Sequence, residues 1–205
     1  HTDLARASAA VGISIERVAP GVIEAMADTV TPQGVVAVAA QFTSTLAEVV
    51  AAKPRLVAIL EEVRDPGNAG TILRAADAAG ADAVIFSGKS VDPYNPKVVR
   101  STTGSMFHVP IVSGVDLDEV VAAMHDAGLT VIAADVKGDD LLEHRAVLQL
   151  PTAWLFGNEA HGLDDAQLAK ADRALRLPIF GRAESLNLAT AASVCLYESA
   201  FAQRG

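Results

Sequence analysis

The chain has 205 residues, 51% of them hydrophobic but only 4% aromatic, which predicts one domain, or one plus a fragment, with an aliphatic, alanine-rich core. No apolar run approaches the roughly 20 residues that span a bilayer, no signal-like segment opens the chain, and the single cysteine, Cys195, excludes an internal disulfide or a Cys-based zinc site. The net charge of −9, from 16 basic and 25 acidic residues, argues against a simple basic nucleic-acid binder. Residues 116–165, however, hold 11 acids against 2 bases, so the rest of the chain is neutral. Any nucleic-acid surface is therefore expected there, with Arg64, Arg74, Lys97, Arg100 and Arg182. The cysteine usage fits a reducing cytoplasm, and the start at His1 reads as a piece of something longer or tagged.

No repeat or low-complexity tract is present. A helical stretch around 22–27 leads to Thr31-Pro32-Gln33-Gly34, good turn chemistry, and then to 35–40, expected as a buried strand. A helix over 44–52 ends at Lys53-Pro54, which sets the expected boundary between a partial N-terminal domain, 1–53, and a main domain, 54–205. The first segment is too short to bury a full core of its own. From there strands and helices alternate. A strand buried on both faces at 55–60 precedes a helix at 70–79 carried by Ile72, Ala75, Ala76 and Ala79. A strand at 83–86, a helix at 96–102 and a strand at 107–112 follow, then a helix at 116–127 with an acidic first turn. Strands at 129–134 and 152–156, a short helix at 164–171, a strand at 174–177 and a long helix at 186–202 close the chain. Continuous apolar strands between helices predict an α/β fold, a mostly parallel sheet covered on both faces. In such sheets ligands lie beyond the carboxyl ends of the strands, so chemistry is sought in the loops there.

Three of these loops carry the signal. Asp65-Pro66-Gly67-Asn68-Ala69-Gly70-Thr71 makes a sharp turn whose small residues leave amide N–H groups open at a helix start; Arg74 follows, off the apolar stripe and near Asp77. The glycines lack GxGxxG spacing and no Lys-Ser/Thr follows, which sets aside a dinucleotide-binding oxidoreductase and a P-loop. Leu155-Phe156-Gly157-Asn158-Glu159-Ala160-His161-Gly162-Leu163 ends a hydrophobic strand in a Gly-flanked turn, and Glu159 beside a buried strand end calls for a partner. The third loop runs from Leu177 to Leu188, with Ser185 expected as N-cap of the last helix and Asn187 in its first turn. Leu177 and Leu186 flank that loop and are placed to line a flat apolar slot, while Cys195 falls with Leu188, Ala192 and Leu196 as buried packing. Taken singly, each loop is also explained as an ordinary turn, and Arg74 as a solvated arginine. The five histidines, His1, His108, His125, His144 and His161, show no ligand spacing, and no metal is expected.

In this order and at these strand ends, the three loops resemble the three motifs of the SpoU (TrmH-like) RNA 2′-O-ribose methyltransferases of the SPOUT class. The residues that carry the resemblance are Asn68 and Arg74, then Leu155-Phe156-Gly157-Asn158-Glu159 with Gly162-Leu163, then Leu177-Pro178-Ile179 with Gly181 and Ser185-Leu186-Asn187. Arg100-Ser101-Thr102-Thr103-Gly104-Ser105 is similar to the segment between the first two motifs, and the likeness covers 55–204. Residues 20–41 resemble the end of the small ribosomal-protein-like substrate-binding domain that many members carry, without its front.

The resemblance implies S-adenosylmethionine-dependent methylation of a ribose 2′-hydroxyl in RNA, ribosomal RNA before transfer RNA. It also implies a homodimer with the active site at the subunit interface and a C-terminal trefoil knot that holds the cofactor. Carried over residue by residue, Asn68, Arg74, Glu159, Ser185 and Asn187 form the catalytic constellation, and Phe156, Gly157, Asn158, Leu177, Ile179 and Leu186 the cofactor contacts. Arg64, Lys97, Arg100 and Arg182 are expected to position RNA. The family casts Arg74 as the base, but a guanidinium rarely gives up its proton and fits a clamp on the adjacent phosphate better. Ser185 and Asn187 are expected to hydrogen-bond Arg74 or the ribose, and Glu159 to anchor its loop or orient Asn68. The alternative is a non-catalytic, RNA-binding dimeric relative of the same fold, against which the intact constellation weighs.

Overall fold

The computed structural model describes residues 2–27 and 29–205, in two units that divide between Gln41 and Phe42. The first holds α1 (Thr2–Ala10) and α2 (Pro20–Met26), and none of its described residues is buried. The strand expected over 35–40 does not form. The described residues of this unit offer no second strand, and an unpaired strand leaves its N–H and C=O groups without partners. The helix expected over 44–52 forms as α3 (Leu46–Ala51), closed by a capping box between Thr45 and Glu48. It belongs to the second unit, so the units divide ahead of Lys53.

In the second unit, β1 (Leu56–Glu61), β2 (Ala83–Ser87), β3 (Ile111–Val115), β4 (Thr130–Asp140), β5 (Thr152–Phe156) and β6 (Arg173–Arg176) form one sheet. Their order is β3-β2-β1-β5-β4-β6 and every pairing is parallel. β1, β2 and β5 are buried along their whole length, as their unbroken apolar runs predict. Leu60, Phe86, Trp154 and Phe156 face one cluster with α4 (Pro66–Ala79) and α8 (Leu188–Arg204). Ile59, Ile85 and Leu155 face the other, with α6 (Leu117–Asp126). Each large aliphatic side chain buried this way contributes about 1.5–3 kcal/mol. Trp154 Nε1 donates to Ser199 Oγ at 2.9 Å, which ties β5 to α8 without an orphaned indole N–H. No helix among the described residues is long and apolar enough to cross a membrane.

Several boundaries differ from the expected ones, each for a local reason. The strand placed over 107–112 begins only at Ile111, after a short helical turn at Ser105–Phe107, because Pro110 has no N–H for the ladder and offers only its carbonyl, to Val84 N at 2.9 Å. α4 starts at Pro66, not at residue 70, since Asp65 caps it by accepting from Asn68 N at 2.8 Å and proline suits the first helical position. β4 runs past residue 134. It pairs with β6 up to Ala134, leaves the ladder, and rejoins it at Asp139 opposite Leu175. Gly138 permits this bulge, because a Cβ there would stand 2.5 Å from the Ala174 carbonyl carbon.

The strand order places β5 beside β1 while β2 and β3 run out the other way. The loops after β1 and β5 therefore open at a switch point, where parallel sheets leave a crevice.

Candidate active site and cofactor cavity

The turn after β5 closes on itself. Asn158 N donates to Gly162 O at 3.1 Å, and Gly162 N donates back to Asn158 O at 2.9 Å. Asn158 Oδ1 accepts from Ala160 N, and its Nδ2 donates to Glu62 O, both at 2.9 Å. Gly157 lies so close to the returning chain that a Cβ would stand 2.6 Å from the Gly162 carbonyl carbon. This tight turn carries Glu159 to the loop after β1. Its Oε1 accepts from Asp65 N at 2.9 Å and from Asn68 Nδ2 at 3.3 Å, and its Oε2 from Arg64 N at 3.1 Å. Burial pushes the Glu159 carboxyl up. The N–H groups of Arg64, Glu159 itself and Asp65, with the Asn68 amide, outweigh that and hold it below the usual glutamate range.

The third loop joins through Asn187. Ser185 does not cap α8; it is exposed two residues before the helix-capping position. Asn187 caps instead, its Oδ1 accepting from Ala189 N at 2.9 Å and Thr190 N at 3.2 Å, while its Nδ2 donates to Asn68 Oδ1 at 3.0 Å. Asparagine wins the cap because it carries both an acceptor for the helix and a donor for Asn68. Glu159, Asn68 and Asn187, from three separated segments, thus form one hydrogen-bonded chain.

Beside the bulge of β4 and the end of β6 lies a cavity of about 280 Å³. Leu175, Leu177, Ile179, Leu186 and Cys195 supply its apolar wall, and Asp135, Arg176, Glu184 and Ser185 its polar groups. Cys195 is 1% exposed, and burial pushes its thiol far up, so it stays protonated and packs as a small apolar group. Of the expected cofactor contacts, Leu177, Ile179 and Leu186 are on this wall. Phe156, Gly157 and Asn158 are not: Phe156 is fully buried and stacks on Trp154 with centroids 6.2 Å apart, and the other two close the turn after β5.

Arg74 projects from α4 into solvent on the face of Thr71 and Ala78, and neither Ser185 nor Asn187 bonds to it. Among the described residues its guanidinium has no hydrogen bond or ion pair. Arg64 pairs with Glu62 at 3.1 Å. Lys97 and Arg100 are exposed on α5 (Pro96–Ser101), whose end is held against α4 by Ser101 Oγ donating to Pro66 O at 3.0 Å; Arg182 is exposed in the third loop. His108, His125 and His144 sit beside Asp77, Asp172 and Asp139, and His1 lies outside the described residues.

Sequence reasoning missed Asp135, Arg176 and Glu184 on the cavity wall. One signal was readable for the first: Asp135 directly follows the apolar run Val131-Ile132-Ala133-Ala134 of β4, as Glu159 comes soon after that of β5.

Residues 55–197 match a family model described as the SpoU rRNA Methylase family, and residues 1–45 match one described as RNA 2′-O ribose methyltransferase substrate binding. The chain is 36% identical over 187 residues to the 23S rRNA (guanosine(2553)-2′-O)-methyltransferase of Bacillus subtilis, covering 91% of this chain and 72% of that protein. It is 37% identical over 174 residues to the 23S rRNA (uridine(2479)-2′-O)-methyltransferase of Streptomyces viridochromogenes, covering 82% of this chain and 60% of that one. The crystal structure of an AdoMet-bound rRNA methyltransferase from Sinorhizobium meliloti matches with a TM-score of 0.83 at 35% identity, over 97% of this chain and 76% of that one. The chain therefore spans from 60% to 76% of the length of these three relatives.

Proposed function

The chain belongs to the SpoU rRNA methylase family, and from that premise we propose that it transfers a methyl group from S-adenosylmethionine to a ribose 2′-hydroxyl of ribosomal RNA. The observation that carries this reading is the chain Glu159–Asn68–Asn187, which joins the three motif loops beside an apolar cavity.

The cavity residues fit the cofactor. Leu177, Ile179 and Leu186 offer a slot for a purine face, Ser185 offers an acceptor for a hydroxyl or ammonium group, and Asp135 adds a negative charge to the wall. When bound, S-adenosylmethionine supplies an electrophilic methyl group on a sulfonium. The protein's share is positioning. The attacking oxygen must be held in line at near-attack distance and lose its proton. The guanidinium of Arg74 is a planar fork of donors that matches a phosphate, so it clamps the neighbouring phosphate and orients the 2′-hydroxyl, and the proton leaves to phosphate or water. Glu159 and Asn187 hold Asn68 and the start of α4 in place, while Ser185 faces the cavity. Lys97, Arg100 and Arg182, with Arg64, supply phosphate contacts along the RNA.

The active unit is a homodimer. Ala78, Tyr197 and Phe201 line one shallow hollow on α4 and α8, with Phe201 64% exposed and its ring 5.6 Å from that of Tyr197. Arg74 stands one turn from Ala78 on the same face, so a second copy seated on this strip would lie beside Arg74, and in this reading Arg74 serves the cavity of that second copy. The reading includes a trefoil knot in the chain from β5 to α8, which would fix the cavity walls, and an RNA-binding role for residues 1–45 as a partial substrate domain. Such an enzyme works in the cytoplasm, where its RNA is.

Incubation with ribosomal RNA and a methyl-labelled donor tests the proposal. Label on ribose 2′-oxygen, lost in Arg74→Ala while donor binding persists, is the expected result. Donor binding and labelling both absent from the folded protein would overturn it.

A further inference from the structure

One carboxylate on the cavity wall has a free face. Asp135 sits where β4 leaves its ladder with β6, and this departure carries its side chain from the sheet to the cavity. Its Oδ1 accepts from Lys137 N at 2.8 Å, a turn that fixes the carboxylate. Its Oδ2 lies toward Gly162, 3.8 Å from where a Cβ would stand. Among the described residues no cation pairs with it. Arg176, the one cation among the described lining residues, is turned away: Nη1 donates to Gly138 O at 2.9 Å and Nη2 reaches Asp140 Oδ2 at 3.5 Å. Glu184 adds a second negative charge to the wall. The cavity thus has unspent negative charge within largely aliphatic walls, where water screens it less than in bulk.

S-adenosylmethionine carries a sulfonium, an ammonium and a carboxylate, one net positive charge. S-adenosylhomocysteine, left once the methyl group has gone, has a neutral thioether and no net charge. Resting on the methyltransferase reading above, we infer that Asp135 is a positioning residue that discriminates the cationic methyl donor from its neutral by-product. Its carboxylate favours the donor electrostatically and loses that advantage when the methyl group leaves, which eases product release. Because Asp135 is half-buried and not fully enclosed, the expected preference is about three- to tenfold.

The test is calorimetric titration of both compounds into the wild type, Asp135→Asn and Asp139→Asn. Asparagine keeps an oxygen for Lys137 N, so the bulge survives, and an unchanged melting midpoint checks this. Asp139 lies on the same strand outside the cavity and serves as the control. Asp135→Asn is expected to weaken donor binding about three- to tenfold and by-product binding less than about twofold. Asp139→Asn should leave both unchanged. In the wild type, added salt should weaken the donor and not the by-product. Equal losses for both compounds in Asp135→Asn, or no loss, would overturn the inference. A folded wild type that binds neither compound would instead overturn the cofactor reading on which it rests.

Discussion

Asn187 Nδ2 donates to Asn68 Oδ1 at 3.0 Å, and the neighbours of this pair fix which way each amide faces. The N–H groups at the start of α8 only donate, and the Glu159 carboxylate only accepts. Asn187 must therefore give Oδ1 to the helix and Nδ2 to Asn68, and Asn68 must give Oδ1 to Asn187 and Nδ2 to Glu159. Turning either amide sets oxygen against oxygen or N–H against N–H. The three loops are joined by a chain with a single satisfied polarity.

Two variants at Asn187 separate capping from relay. Asn187→Ala removes the cap and should cost about 0.5–2 kcal/mol. Asn187→Asp keeps an acceptor for Ala189 and Thr190 and adds a charge suited to a helix N-terminus, so its thermal midpoint should stay near wild type. Its second oxygen then faces Asn68 Oδ1. Methyl transfer should fall in both variants, but stability only in the alanine one; an aspartate variant with full activity would show that the relay is dispensable.

Glu159→Gln replaces a carboxylate oxygen by an NH₂ that faces N–H donors, and the loss should be about 1 kcal/mol at this exposed position. The acid limb adds a check. The folded carboxyl is held low, so its stabilisation is complete above the ordinary glutamate value of 4.5 and is lost as pH falls through the lower folded value. The stability difference between wild type and Glu159→Gln should therefore be constant at neutral pH and shrink on acidification below that value. A difference that held to strong acid would mean the charge is not what anchors the loop.

Gly157→Ala places a methyl group against the Gly162 backbone and should cost about 1–3 kcal/mol by chemical denaturation. Gly181→Ala, with nothing within 4 Å of its Cβ, should be close to neutral. Residue 157 thus tests the turn and not the pocket; a bulky block belongs at Leu186, on the cavity wall.

The doubly buried strands were legible because 56–60 in β1 and 153–156 in β5 are unbroken apolar runs, and Glu159 was legible because an acid at such a strand's end needs a partner. The choice of Asn187 over Ser185 as cap was not. Both residue types cap well, and the decision rests with Asn68, far away in sequence. Val35 and Val38 have strand propensity, but the described residues of their unit offer no strand to pair with. Asp135 stayed hidden because its orientation comes from a bulge opposite β6, a consequence of pairing that no local pattern carries.

Arg74 and the cavity belong, in the proposed dimer, to different subunits, and this can be read from mixed dimers. Arg74→Ala leaves the cavity whole, whereas Leu186→Arg blocks it and leaves Arg74 whole; each alone should be inactive as a homodimer. In a mixed dimer one site combines the intact cavity of the first subunit with Arg74 of the second, and the other site carries both defects. Random pairing makes half the dimers mixed, so co-expression of the two variants should restore about a quarter of wild-type methyl transfer. If Arg74 served the cavity of its own subunit, every site in every dimer would carry a defect and nothing would return. Phe201→Glu, which puts a charge on the apolar strip of α8, should give monomers by sedimentation and abolish the recovery.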